Sequence, residues 1–81
     1  MSIRLRCPNT GFARPTACTV EDSSVSALRV GEHVEFNVEA GRTSMGLIRT
    51  FGGETYRVGN VRFLDDVTDD RHTLIECEFA D

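Results

Sequence analysis

The chain has 81 residues, 13 acidic side chains against 9 basic ones, and a formal net charge of −4. That length specifies one domain with a modest core, and the acidic balance argues against binding a nucleic-acid polymer, which needs a basic face to neutralise phosphates. A 40% hydrophobic and 27% charged composition is that of a folded globular domain.

No apolar run approaches the roughly 18 residues of a membrane span. The opening Met1-Ser2-Ile3-Arg4-Leu5-Arg6 alternates charge with apolar groups and lacks an apolar h-region, so the expected compartment is the cytoplasm. All the basic side chains are arginine, whose planar fork suits phosphates and guanine edges, although a biased genomic composition explains them equally well. Cys7, Cys18 and Cys77 form an odd set without C-x-x-C spacing, which predicts free thiols in a reducing compartment. A zinc site joining them to His33 and His72 would need ligands from distant positions, so no metal is expected.

Period-two alternation dominates the chain and predicts a β protein. Ile3, Leu5 and Cys7 share one face of the first strand, with Arg4 and Arg6 on the other. Pro8-Asn9-Thr10-Gly11 reads as a turn. A second strand spans 12–21, with Thr16, Cys18 and Val20 on one side and Pro15 marking a start, an edge or a bulge. Val25 to Val30 reads as a short third strand, ended by a Gly31-Glu32 turn.

The clearest alternation follows: Val34, Phe36, Val38 and Ala40 inward, His33, Glu35, Asn37 and Glu39 outward. Gly41-Arg42-Thr43 supplies a turn into a strand over 44–51, with Met45, Leu47 and Phe51 on one face and Ile48 on the other. Gly52-Gly53 signals a tight hairpin. From Thr55 to Leu64, Tyr56 and Val58 share one phase while Val61 and Phe63 share the opposite one, which places a β-bulge at Gly59-Asn60.

Beyond Leu64, Thr68 reads as an N-cap, and Asp69 and Asp70 complement the positive end of a helix dipole. Leu74, Ile75 and Phe79 then form an apolar stripe, so a short C-terminal helix is expected over 69–79. A strand reading competes, because Thr73, Ile75, Cys77 and Phe79 also alternate with polar neighbours. The acidic cluster Asp65, Asp66, Asp69 and Asp70 lacks the spacing of a calcium loop. No nucleophile, base and orienting group fall within one motif, and a small barrel offers little room for a site, so a non-enzymatic role is expected.

About six strands joined by short turns suggest a small antiparallel barrel. Several local patterns add to that outline in order. Asp22-Ser23-Ser24-Val25-Ser26-Ala27 follows a strand and resembles the D-x-S-x-x-G signature of PilZ domains, with Ala27 where that family usually has glycine. Val30-Gly31-Glu32-His33-Val34 is similar to the family's entry to its next long strand, and Gly46-Leu47-Ile48-Arg49 to its G-x-V-x-R strand. Tyr56 to Asp65 looks like its closing strand, followed by a helix.

The resemblance covers roughly 5–79 and implies a mainly β, six-stranded antiparallel PilZ-like barrel with a short C-terminal helix. Many PilZ domains bind cyclic di-GMP through an R-x-x-x-R motif together with the Asp and Ser of the second signature. Here Asp22 and Ser24 match, Ala27 adds a methyl group, and the arginine motif is absent. Arg4, Arg6 and Arg29 are the candidates to replace it, although exposed strand arginines need no ligand, and Asp and Ser also shape turns by bonding to backbone.

The resemblance therefore implies a regulatory or adaptor domain with cyclic di-GMP recognition degenerate or lost. The alternatives are a working cyclic di-GMP receptor and an unrelated SH3-like or OB-like protein-binding barrel. No cofactor is expected beyond that nucleotide as a candidate ligand. A protein partner is expected, and a homodimer is a candidate because a small domain gains by burying more apolar surface.

Overall fold

The computed structural model describes residues 1–9, 15–38, 45–64 and 69–79. They form six strands: β1 (Ser2–Pro8), β2 (Thr16–Ser23), β3 (His33–Val38), β4 (Gly46–Thr50), β5 (Thr55–Leu64) and β6 (His72–Phe79). Each strand pairs antiparallel with the next, and β6 returns to β1, closing a barrel in simple chain order. The closing seam is continuous, running from Ser2 opposite Glu78 to Pro8 opposite His72.

Alternation builds the core as the sequence pattern requires. Ile3, Leu5 and Cys7 from β1, Cys18 and Val20 from β2, and Val34 and Phe36 from β3 are all buried. Ile48, Val58, Ile75 and Cys77 complete the interior from the remaining strands. Gly46 sits against Phe36: a Cβ there would lie 3.1 Å from both the Asn37 carbonyl oxygen and Phe36 Cε1. In β4 the core face is Gly46, Ile48 and Thr50, so Leu47 is only half-buried and Phe51 stands outside. The phase slip expected in β5 is present as a register shift between Val58 and Val61.

Three expectations are corrected. Val25 to Val30 is a turn, not a strand. Its apolar residues do not alternate in burial: Leu28 is buried, Val25 partly so, while Ala27 and Val30 are exposed. The Leu28 amide donates to the Val25 carbonyl (3.1 Å), and Gly31, at φ +87°, donates to the Val20 carbonyl (2.8 Å). This connection therefore folds back on the barrel and places Leu28 in the core.

The C-terminal helix is also corrected. His72–Phe79 is a strand, and no helix occurs among the described residues. Both neighbours of β6, β1 and β5, bond to it along its length, so tertiary pairing decides against the local helix signal. Thr68, expected as the N-cap, lies outside the described residues. So do Thr10-Gly11, the 12–14 stretch, Glu39, Ala40 and the Gly41-Arg42-Thr43 turn.

The third correction concerns the thiols. Cys7 and Cys18 form a disulfide across β1 and β2, with Cα atoms 4.4 Å apart, and only Cys77 is free. Spacing of 11 along the chain gave no sign of this, because the hairpin register brings the two together.

Leu28 is nearly fully buried although it sits in a connection, whereas Val30 in the same connection is exposed. Leu28→Ala is expected to lower unfolding stability by about 2–4 kcal/mol, and Val30→Ala to change it by less than about 0.5 kcal/mol. Urea unfolding of the two variants measures both.

Candidate functional site

Residues facing outward on β2, β1, β6 and β5 form a charged row around one side of the barrel. Asp22 lies opposite Arg4, Arg4 opposite Glu76, and Glu76 opposite Arg62. Arg4 Nη2 donates to Glu76 Oε2 at 3.4 Å, and Arg62 Nη2 donates to Glu76 Oε1 at 2.5 Å. Glu76 thus sits between two guanidinium groups from the strands flanking β6.

A bulge shapes the start of this row. The β1–β2 register slips between Arg4 and Leu5, so Arg4 faces Asp22 while Leu5 faces Val20. Glu21 is the extra residue, and its carboxylate accepts a hydrogen bond from Arg6 Nε. Arg6 also reaches Asp69 through Nη1 at 3.3 Å. These contacts raise the Arg6 pKa, with the hydrogen bond to Glu21 the largest cause.

The sequence candidates separate into two groups. Arg4 and Asp22 are register partners, and Arg6 lies two residues further along β1, bonded to carboxylates. Ser24 serves the fold: its Oγ accepts from the Ser2 amide (2.8 Å) and donates to the Ser2 carbonyl (3.1 Å). Ser23 closes the same turn, accepting from the Val25 amide at 3.0 Å. Ala27 is exposed in the connection, so its methyl group is not packed against the described residues of the core. The Arg29 amide donates to Glu32 Oε2 at 3.1 Å, and its guanidinium takes part in no ion pair among the described residues.

Sequence reasoning did not single out Glu21, Arg62, Glu76, Asn60 or Glu78. For Asn60, Arg62, Glu76 and Glu78 the signal was the outward phase of β5 and β6, hidden for Glu76 and Glu78 by the helix expectation, whereas Glu21 depends on the β2 bulge. Asn60, on the β5 bulge, donates to Glu78 Oε2 at 3.1 Å. With Arg62 and Glu76 these two residues line an open depression of about 310 Å³. A smaller one of about 110 Å³ lies over β3 and β4, beside the Arg49–Glu35 pair at 3.8 Å. Both depressions are open, and the larger is mainly polar, unlike the enclosed apolar pockets that hold small molecules.

The described histidines are peripheral. His33 is exposed, and His72 Nδ1 lies 3.4 Å from Asp69 Oδ1. Among the described residues no group of His, Cys, Asp and Glu has the geometry to hold a metal ion, and no helix is long and apolar enough to cross a membrane. Burial pushes the Cys77 thiol up to about 12, which keeps it protonated and unreactive at neutral pH.

No family model, curated protein or solved structure matches this chain.

Asp69 Oδ1 accepts from the Arg71 and His72 amides at 2.8 and 2.6 Å, and these bonds hold its carboxyl below the usual value, with His72 adding to the effect. A depressed folded-state pKa contributes stability above the unfolded value of roughly 4, and that stability is lost as pH falls through the folded pKa. Asp69→Asn is therefore expected to flatten the acid limb of a stability profile below about pH 4. Thermal melts across that range, beside the wild type, measure it.

Proposed function

We propose that this barrel is a non-enzymatic regulatory or adaptor domain, PilZ-like in descent, that acts through protein contacts and has degenerate or lost cyclic di-GMP recognition. One observation carries the reading. The arginines nearest the Asp22-Ser23-Ser24 turn are already engaged, Arg4 with Glu76 and Arg6 with Glu21 and Asp69. Gripping a cyclic dinucleotide would mean exchanging those carboxylates for phosphates, and Ser24 would have to leave the Ser2 backbone.

The protein-contact part rests on placement. The β2–β3 connection and the β4–β5 hairpin lie at the same end of the barrel, where β1 begins and β6 finishes. Val30 and Phe51 there are 68% and 69% exposed. Large apolar side chains left in water at one end suit a protein partner, a second copy of the chain included.

A receptor reading retains one point in its favour. Asp22 and Arg4 face each other on adjacent strands, and Arg29 belongs to the connection that follows β2.

Calorimetric titration with cyclic di-GMP, using GTP and cyclic AMP as controls, separates the two. The adaptor reading expects no saturable heat from folded protein; micromolar or tighter binding that Asp22→Ala abolishes would replace it with the receptor. Phe51→Asp is expected to leave unfolding stability within about 0.5 kcal/mol of wild type, because an exposed side chain retained for contact contributes little to the fold. Urea unfolding of that variant provides the check.

A further inference from the structure

The two seams of β1 are unequal. Toward β6 the register runs without interruption from Ser2 to Pro8. Toward β2 the register pairs run from Ile3 to Arg6, with the Ser24 amide bonded to the Ser2 carbonyl before them, and they are interrupted by the bulge between Arg4 and Leu5. Beyond the bulge, Leu5 opposite Val20 and Arg6 opposite Thr19 are the register pairs, and the Cys7–Cys18 disulfide follows directly after them. The covalent bond thus sits at the end of the β1–β2 register, on the far side of the bulge.

Both cysteines are out of reach of solvent, Cys7 at 0% and Cys18 at 2% exposure. A thiolate must approach a disulfide sulfur directly to attack it, so the closed barrel shields this bond. The third cysteine does not provide an internal route. Cys77 lies opposite Ile3, whereas the β6 residue opposite Cys7 is Thr73. Those positions are four residues apart on one strand, or about 13 Å at the usual rise.

We propose that the Cys7–Cys18 disulfide is a redox-gated latch on the β1–β2 seam, which a dithiol reductant reaches only after that seam opens. In the reducing step a thiolate of the dithiol attacks one sulfur, the Cys7–Cys18 bond breaks, and a mixed disulfide forms. The second thiol of the reductant then displaces the cysteine. Two electrons and two protons pass to Cys7 and Cys18, and the reductant leaves as its own disulfide. The reduced chain loses the cross-link at the seam with the shorter register, so the barrel is more stable in an oxidising compartment than in a reducing one.

Thiol titration and reduction kinetics on the wild-type protein test this. With no reductant present, a chromogenic aromatic disulfide is expected to detect no thiol in the folded protein and one, Cys77, after denaturation. Three thiols in the denatured protein would overturn the proposal, because the latch would be absent. Reduction by dithiothreitol is expected to speed up at least about tenfold between buffer and sub-denaturing urea, as exchange through an opened state requires. A rate proportional to dithiothreitol and indifferent to urea would overturn the gating. Loss of the cross-link is expected to lower the melting temperature by about 10–20 °C, from the loop entropy of a closure this short in a domain this small. An unchanged melting temperature after verified reduction would show that the bond latches nothing.

Discussion

The pairing of β6 with β1 is the constraint on which the rest of this molecule depends. Without it, β1 and β6 would each present an unpaired edge, and the sheet that carries Ile75 and Cys77 would stand open instead of enclosing a core. With it, every strand has two neighbours, and a chain of this size encloses one continuous interior lined by alternate residues of all six strands. The seam also creates the charged row, because Glu76 lies between Arg4 and Arg62 only when β6 lies between β1 and β5.

Two bulges and one folded-back connection set the character of the surface. The bulge at Glu21 puts that residue within reach of Arg6 and leaves Asp22 opposite Arg4. The slip between Val58 and Val61 brings Asn60 to Glu78. The connection after Ser24 turns Leu28 inward and Val30 outward. The polar wall is therefore largely matched with itself, while the most exposed large apolar side chains of the described residues, Met1, Val30 and Phe51, lie at one end. That division is what supports a contact-based role over capture of a charged small molecule.

Much of the fold was legible where alternation was strict and the flanking turns carried glycine. β1, β3 and β5 were readable because their inward residues are apolar and their outward ones polar, and Gly59-Asn60 marked the β5 slip. The split of β4 into a Leu47 face and an Ile48 face was legible, but which face turns inward was not, because the inward positions are Gly46 and Thr50 around a single large residue, Ile48. The count of six strands was right, but its membership was not. Val25 to Val30 gave way to a turn, whose apolar residues do not alternate in burial, and 72–79 became a strand because pairing with β1 and β5 overrides its acidic capping residues. Of the candidate residues, Arg4 and Asp22 were brought together. Glu76 and the Cys7–Cys18 bond depend on which strands become neighbours, and linear spacing does not encode that.

Backbone NMR of the 69–79 segment tests barrel closure most directly. The account predicts cross-strand proton contacts between β1 and β6 around Leu5 and Ile75, with the amides of β6 exchanging as slowly as those of β3. Sequential helical contacts through Leu74, Ile75 and Glu78, with no contact to β1, would contradict it.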